Sequence, residues 1–449
     1  MYTIRRILRP CLALLAVVAF LAACTPVAPP AGTAGTAPAS ADTPVTITVA
    51  AQSGHTAATA AKDKLAEFEA ATGIQVELVE IPEQDLTQKL LLEFSGQTGR
   101  YDAVMAPEDA FANYVINGYL ATLDEAGGAP EDVDDFLPRF LDRVRYNSSE
   151  GRLYEGDLYG LPLSGDVNVL YYNTELFEAA GLDPDSPPQN WEEFREYAKA
   201  LTKDGVYGTA WLGVQGDAST WAWATYLFSH GGDFFDADDR PVFNNEAGVQ
   251  SLQLIVDMIH TDKVMPPSVP SWDYDQINAA FPQGQVAMVI NWPYMLGLVN
   301  DPAQSQVVGK VKIALAPRGV TYGVPAGGWK WLIAKDSQHK AEALEFITYM
   351  TSADFQLYMT ETYNQLPTRN SVYEEMKIRK PDYTWQVWQD ALNKAARFMP
   401  VQYPEWPQIS SIISLALQQA QIQEKTPQEA LDEAAAAVEE LMTEAGYYE

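Results

Sequence analysis

Five consecutive apolar residues, Val286 to Ile290, follow Gln283-Gly284-Gln285 and run into Asn291-Trp292-Pro293-Tyr294. A short β-branched run of this kind predicts a strand buried on both faces, as in a sheet covered by helices. Pro293 cannot continue a ladder, so the strand ends there. Ligands of open α/β sheets gather at the carboxyl ends of strands. The stretch therefore reads as a core strand delivering an amide and two aromatic rings to a cleft, although packing alone would also account for Trp292 and Tyr294.

The rest of the chain repeats the same alternation. Val45–Ala50, Ile74–Ile81 and Tyr101–Met105 read as strands, separated by helices over Ala57–Ala71 and Asp85–Ser95. That order predicts an α/β lobe with a mainly parallel sheet. Glu108-Asp109 follows the third strand, again at a carboxyl end. Leu161 to Asn173, with Asp166 and Asn168 inside it, is extended and suits a crossing between lobes. Asn190 caps a helix in which Trp191, Phe194, Ala198 and Leu201 share a face, so Trp191 belongs to the core. Trp221 and Trp223 stand two apart at a helix start and cannot share a face, so at least one points to the cleft. Val311–Ala316 and Trp331–Ala334 are further strands, and Thr426-Pro427-Gln428-Glu429 is a capping box before the last helix.

The amino terminus is of another kind. Arg5, Arg6 and Arg9 precede an apolar run from Cys11 to Ala23, too short to span a membrane comfortably but suited to a secretory leader. Leu21-Ala22-Ala23-Cys24 resembles the bacterial lipobox, in which Cys24 would be acylated; an ordinary leader cut after Ala22 or Ala23 is the alternative. Thr25 to Pro44 is nearly all Pro, Ala, Gly, Ser and Thr and reads as a tether. The only two cysteines are Cys11 and Cys24, so the folded part has neither a disulfide nor thiol chemistry. About 400 residues exceed what one core usually holds, so two lobes are expected.

Composition narrows the chemistry. A net charge of −31 argues against nucleic acid or anionic lipid as a partner. The four His are scattered singly, which disfavours a metal site or a His-based triad. No phosphate-binding Gly-rich loop, zinc-protease motif or nucleophile elbow is found. What remains are acids and amides at strand ends (Glu108, Asp109, Asp166, Asn168, Asn291) beside rings (Trp221, Trp223, Trp292, Tyr294, Trp329). A sugar suits that set, because its hydroxyls donate to carboxylates and its C–H face packs on aromatic rings. An amino-acid site would want an Arg for the ligand carboxylate, with Arg369 and Arg397 as the candidates. A two-carboxylate glycosidase is not excluded by residue type, and nothing in the spacing favours it.

From about Val45 to its carboxyl end the chain resembles the extracellular solute-binding proteins of carbohydrate ABC transporters (family 1), and among them the maltose/trehalose-binding group. The resemblance rests on Gly284-Gln285-Val286-Ala287-Met288 with Asn291-Trp292-Pro293-Tyr294, on Gly327-Gly328-Trp329, and on the closing run from Tyr403-Pro404 to Ala430-Leu431. It implies an α/β periplasmic-binding-protein-like fold, two lobes joined by a multi-strand hinge, with a ligand cleft between them. The implied division is a leader over 1–23, Cys24 and tether over 24–44, one lobe from 45–162 plus 326–371, and a second from 163–325 plus 372–449. Implied partners are a sugar, the permease subunits of an ABC transporter, and a membrane through the lipid anchor alone, with the protein a monomer, outside the cytoplasm. No catalysis, cofactor or metal is implied. Matched by motif, Asp109, Asp166, Trp221, Tyr294, Trp329 and Arg397 take the family's ligand-contacting positions, with Gly328 beside Trp329 as a further contact. Two departures stand out: Ala106 replaces a ring that maltose binders carry, and Ser53-Gly54-His55-Thr56 lacks an obvious charged contact.

Overall fold

The computed structural model describes residues 44–380 and 383–448. The leader, Cys24 and nearly all of the tether lie outside the described residues. Among the described residues no helix is long and apolar enough to cross a membrane.

Two sheets organise the fold. The first is built from β1 (Thr46–Gln52), β2 (Gln75–Ile81) and β3 (Ala103–Ala106), followed by a small separate sheet of β4 (Arg145–Asn147), β5 (Arg152–Leu153) and β6 (Asp157–Leu158). It is completed by β7 (Gly160–Val167), β12 (Val324–Ile333) and β13 (Ala396–Phe398), in the order β13-β12-β3-β1-β2 with β7 also paired to β12. The second contains β8 (Val169–Asn173), β9 (Tyr207–Thr209), β10 (Val286–Asn291) and β11 (Val311–Ala314), in the order β11-β8-β10-β9.

Side chains in the first sheet alternate between two cores, as strand geometry requires. Val49, Met105, Trp331 and Ile333 pack to one side with Phe68 and Phe346. Ala50, Val104 and Leu332 pack to the other with Phe111 and Tyr114. In the second sheet β10 lies between β8 and β9, and Val286 to Val289 are buried, as the apolar run predicts.

The mainly parallel sheet expected from the βα order holds for β1, β2 and β3 only. β12 runs antiparallel to both β3 and β7, and β8 runs antiparallel to both β10 and β11. The physical reason is the return path. Strands arriving after the chain has crossed to the other sheet come back from the opposite end, with no right-handed crossover helix to turn them.

The change of sheet occurs at Asn168, between β7 and β8, and again between Ala314 and Val324. The expected lobe boundaries therefore fall inside continuous elements: β7, β12 and the helix Asn370–Arg379. β13, from the carboxyl-terminal part assigned to the second lobe, pairs with the start of β12. A third passage is held where the Gly165 N–H donates to the Leu366 carbonyl at 2.9 Å.

Trp191 is a core residue as its helical spacing indicates: its ring stacks on Tyr226 at 4.4 Å and its N–H donates to Ser229 Oγ at 2.9 Å. The capping box at Thr426 forms with Glu429.

Where β7 and β12 run side by side, Gly328 lies opposite Gly165. A Cβ built on Gly328 would stand 2.4 Å from the Ser164 carbonyl oxygen, a contact the strands must separate to relieve. Gly328→Ala is expected to destabilise the protein by about 2 kcal/mol, as overpacking does. Urea denaturation checks it, with Gly327→Ala as the control, because a Cβ there meets nothing closer than 3.4 Å.

Candidate ligand-binding site

β12 carries the centre of the site. Its register with β7 shifts between Trp329 and Lys330, a bulge that re-aims successive side chains. Trp329 stays partly exposed and meets the His55 ring at 4.6 Å, whereas Lys330 turns inward and is 2% exposed. On the opposite side, the helix Asp217–Ser229 brings Trp221 over β12, so that a Cβ on Gly327 would lie 3.4 Å from Trp221 and 3.5 Å from Glu108 Cβ. Trp221 packs edge-on against Trp292 at 5.8 Å, just beyond the end of β10. Rings from both sheets thus converge on the Gly327-Gly328-Trp329 segment.

The acids divide into two kinds. Glu108, expected to contact ligand, is instead buried between two cations: Lys330 Nζ donates to Oε2 at 2.8 Å and Arg143 Nε to Oε1. Burial alone would raise the Glu108 carboxyl, but Lys330 and Arg143 outweigh it and hold it below the ordinary range. For Lys330 burial wins, and its ammonium sits below its usual range despite Glu108. Both carboxylate oxygens are occupied within the protein, which makes Glu108 part of the scaffold.

Asp109, the next residue, escapes that cluster. Burial first, and then the charge of Asp217, push its carboxyl up to about 7. Asp166, at the end of β7, accepts a hydrogen bond from Gln365 Nε2 at 3.0 Å, and Gln365 Oε1 accepts one from Thr56 Oγ1 at 2.7 Å. Burial lifts the Asp166 carboxyl to about 6, with the Gln365 bond acting the other way.

The amides close the floor. Asn168 Oδ1 and Asn291 Nδ2 are both buried without a hydrogen-bond partner, unlike most buried polar groups. One is an acceptor and the other a donor, which is what a bound hydroxyl needs. Trp292 Nε1 donates to Tyr274 Oη at 3.0 Å, and Tyr294 Oη donates to Asn278 Oδ1 at 3.0 Å. Both rings are fixed in place by side chains of the helix Tyr274–Ala280.

Three other expected contacts are placed elsewhere. Trp223 is fully buried, its N–H bound to Ser251 Oγ at 2.9 Å, because it lies on the core face of the helix that turns Trp221 outward. Gly328 has its missing side chain explained by the strand contact to Ser164. Arg397 lies over Phe228 at 4.3 Å, pairs with Asp233, and donates to the Gly232 carbonyl at 3.0 Å, so its charge is engaged within the protein. Arg369 is likewise taken, fully buried and ion-paired to Asp132 and Asp135.

Comparison with known proteins decides what kind of molecule this is. The family model for bacterial extracellular solute-binding proteins matches residues 51–357. The chain belongs to this family. Over 390 residues it is 29% identical to a Sinorhizobium fredii protein named "Probable amino-acid ABC transporter periplasmic-binding protein", covering 85% of this chain and 86% of that one. A mannitol-binding protein of Pseudomonas aeruginosa is 28% identical over 62% of each chain. Among solved structures, the maltose-bound MalE3 of T. maritima superposes with a TM-score of 0.78 and 26% identity, over 88% of this chain and 100% of that one. The periplasmic-binding-protein fold expected from the sequence is therefore the fold found.

In this solute-binding protein several site residues carried no recognisable signal. His55 comes from a loop with no charged residue, and burial drives its ring down to about 3, so it stands neutral against Trp329. Asp217, Gln365 and Asn278 lie on segments far from the ring and acid motifs. Lys330 did carry one: a lone cation in a buried strand pattern requires an internal acid. A cavity of about 420 Å³ lies elsewhere, between the edge strand β11 and Tyr322, Pro187 and Val387, and none of the expected contacts lines it. Among the described residues no group of His, Cys, Asp and Glu could hold a metal ion.

Proposed function

We propose that this protein captures a neutral sugar or polyol outside the cytoplasm and delivers it to the permease of an ABC transporter. Closure of two lobes would grip the ligand, their bounds near 45–162 plus 326–371 and 163–325 plus 372–449, with Cys24 as the lipid attachment. The observation that carries the reading is the combination of rings and acids around Gly327: Trp221, Trp292 and Trp329 with Asp109 and Asp166. Trp329 and Trp221 supply apolar faces for C–H surfaces, the acids accept from hydroxyls, and Asn168 and Asn291 complete the polar floor. Tyr294 and Trp292 line the end of β10. Maltose and mannitol, bound by the relatives, are both neutral and hydroxyl-rich. A disaccharide or small α-glucoside fits the ring-rich set.

The amino-acid reading in the name of the Sinorhizobium relative finds less support. A ligand carboxylate needs a cation, and Arg143, Lys330, Arg369 and Arg397 are each paired with a protein acid. A thermal-shift panel of maltose, trehalose, mannitol, glycerophosphodiesters and amino acids tests the choice. A ligand present at a hundred times its Kd stabilises by about 2.7 kcal/mol, which such a panel detects. The expected result is a shift with a sugar or polyol and none with amino acids; the reverse pattern overturns the reading. An exported glycoside hydrolase would instead turn disaccharides over.

A further inference from the structure

Asp217 opens the helix Asp217–Ser229, and Trp221 stands one turn later on the same face. That face looks across to the first sheet, since Trp221 reaches the Gly327 position and Trp292. Asp217 Oδ1 accepts a hydrogen bond from Ser410 Oγ at 2.6 Å. This bond and the start of a 13-residue helix both favour its anionic form. Asp109 faces it from the turn after β3, and after burial Asp217 is the strongest influence on the Asp109 carboxyl. The other titratable groups around Asp109 are Lys330 on β12, its neighbour Glu108, and Tyr114 of the following helix. Lys330 is itself paired with Glu108.

We propose that Asp217 is a ligand-binding carboxylate of the second-sheet side, closing with Asp109 on hydrogen-bond donors of the solute as an acidic clamp. The proposal rests on the reading of this cleft as a sugar or polyol site. Two carboxylates brought together away from water repel. Solute hydroxyls relieve that repulsion by donating to both, whereas an anionic solute adds a third negative charge. The clamp therefore selects donor-rich neutral solutes and rejects phosphates and carboxylates.

A proton signature follows. In the empty clamp the proton resides on Asp109, whose carboxyl is raised to about 7. Donors from the solute favour the ionised pair, so the proton leaves on binding. Affinity then rises with pH through the range below about 7 and levels off above it.

The test is titration calorimetry of the full chain with maltose and with D-mannitol at about pH 6.5, in buffers of different ionisation enthalpy. Wild type is expected to release protons on binding. Asp217→Asn should bind roughly tenfold more weakly, as loss of a charge-assisted hydrogen bond implies, and release none. Asp217→Glu, which keeps the charge, should retain the release. Unchanged affinity and proton count in Asp217→Asn overturn the clamp. If neither probe binds wild type, the sugar reading fails separately. The clamp is then read from the ligand-free protein, whose tryptophan emission should show an inflection near pH 7 that moves lower in Asp217→Asn. An inflection that stays in place overturns it.

Discussion

Glu108→Ala is expected to destabilise the fold by about 3–5 kcal/mol, because it strands two buried cations at once. Lys330 is 2% and Arg143 8% exposed, and Arg143 Nη2 already lacks a partner. The guanidinium is held between the Tyr154 ring at 3.6 Å and the Phe398 ring at 4.6 Å, so it has no easy route to water. Urea denaturation followed by circular dichroism measures the loss. Pairing the change with Lys330→Met should recover part of it, since removing both charges leaves less to desolvate. A Glu108→Ala variant of full stability and lost ligand affinity would return Glu108 to the ligand-contacting set.

Trp329→Ala should have the opposite profile: a well-folded protein that binds poorly. The ring is partly exposed and touches His55, so its removal opens no sealed cavity. One indole face against a sugar removes on the order of 100 Å² of apolar surface from water, worth about 2.5 kcal/mol at about 25 cal/mol per Å². That is a loss of roughly 70-fold in Kd. Titration calorimetry with the best sugar from the thermal-shift panel gives the answer, and unchanged affinity would remove Trp329 from the site.

The contrast between these two variants shows what was legible in the chain. Strands and helices were, because alternation and capping are local: β10, the capping box at Thr426 and the core face of Trp191 follow from neighbours in sequence. The split between Trp221 and Trp223 also followed from helical geometry, though not which ring went where. The split between Glu108 and Asp109 did not. They are adjacent on a single turn, and only Lys330 and Arg143, arriving from β12 and from residues after β6's partner strands had yet to form, decide which acid is consumed. His55, Gln365 and Asp217 were invisible for the same reason, as each acquires its role from a partner more than a hundred residues away. Strand direction failed similarly, since it depends on which end of a sheet a returning chain reaches.

The position of β12 bears on how the chain can be made. β1, β2 and β3 are complete by Ala106, yet the strand that lies against β3 begins only at Val324. A nascent chain therefore carries the short, fully buried strand Ala103–Ala106 with one side unpaired while the whole second sheet is synthesised. Trp331, Ile333 and Phe346, which fill one face of that first sheet, arrive later still. Contacts this distant in sequence slow folding and leave an open strand edge exposed meanwhile. The amino-terminal half cannot finish folding before most of the protein has been made, so a fragment ending ahead of β12 would be sticky rather than a small stable domain.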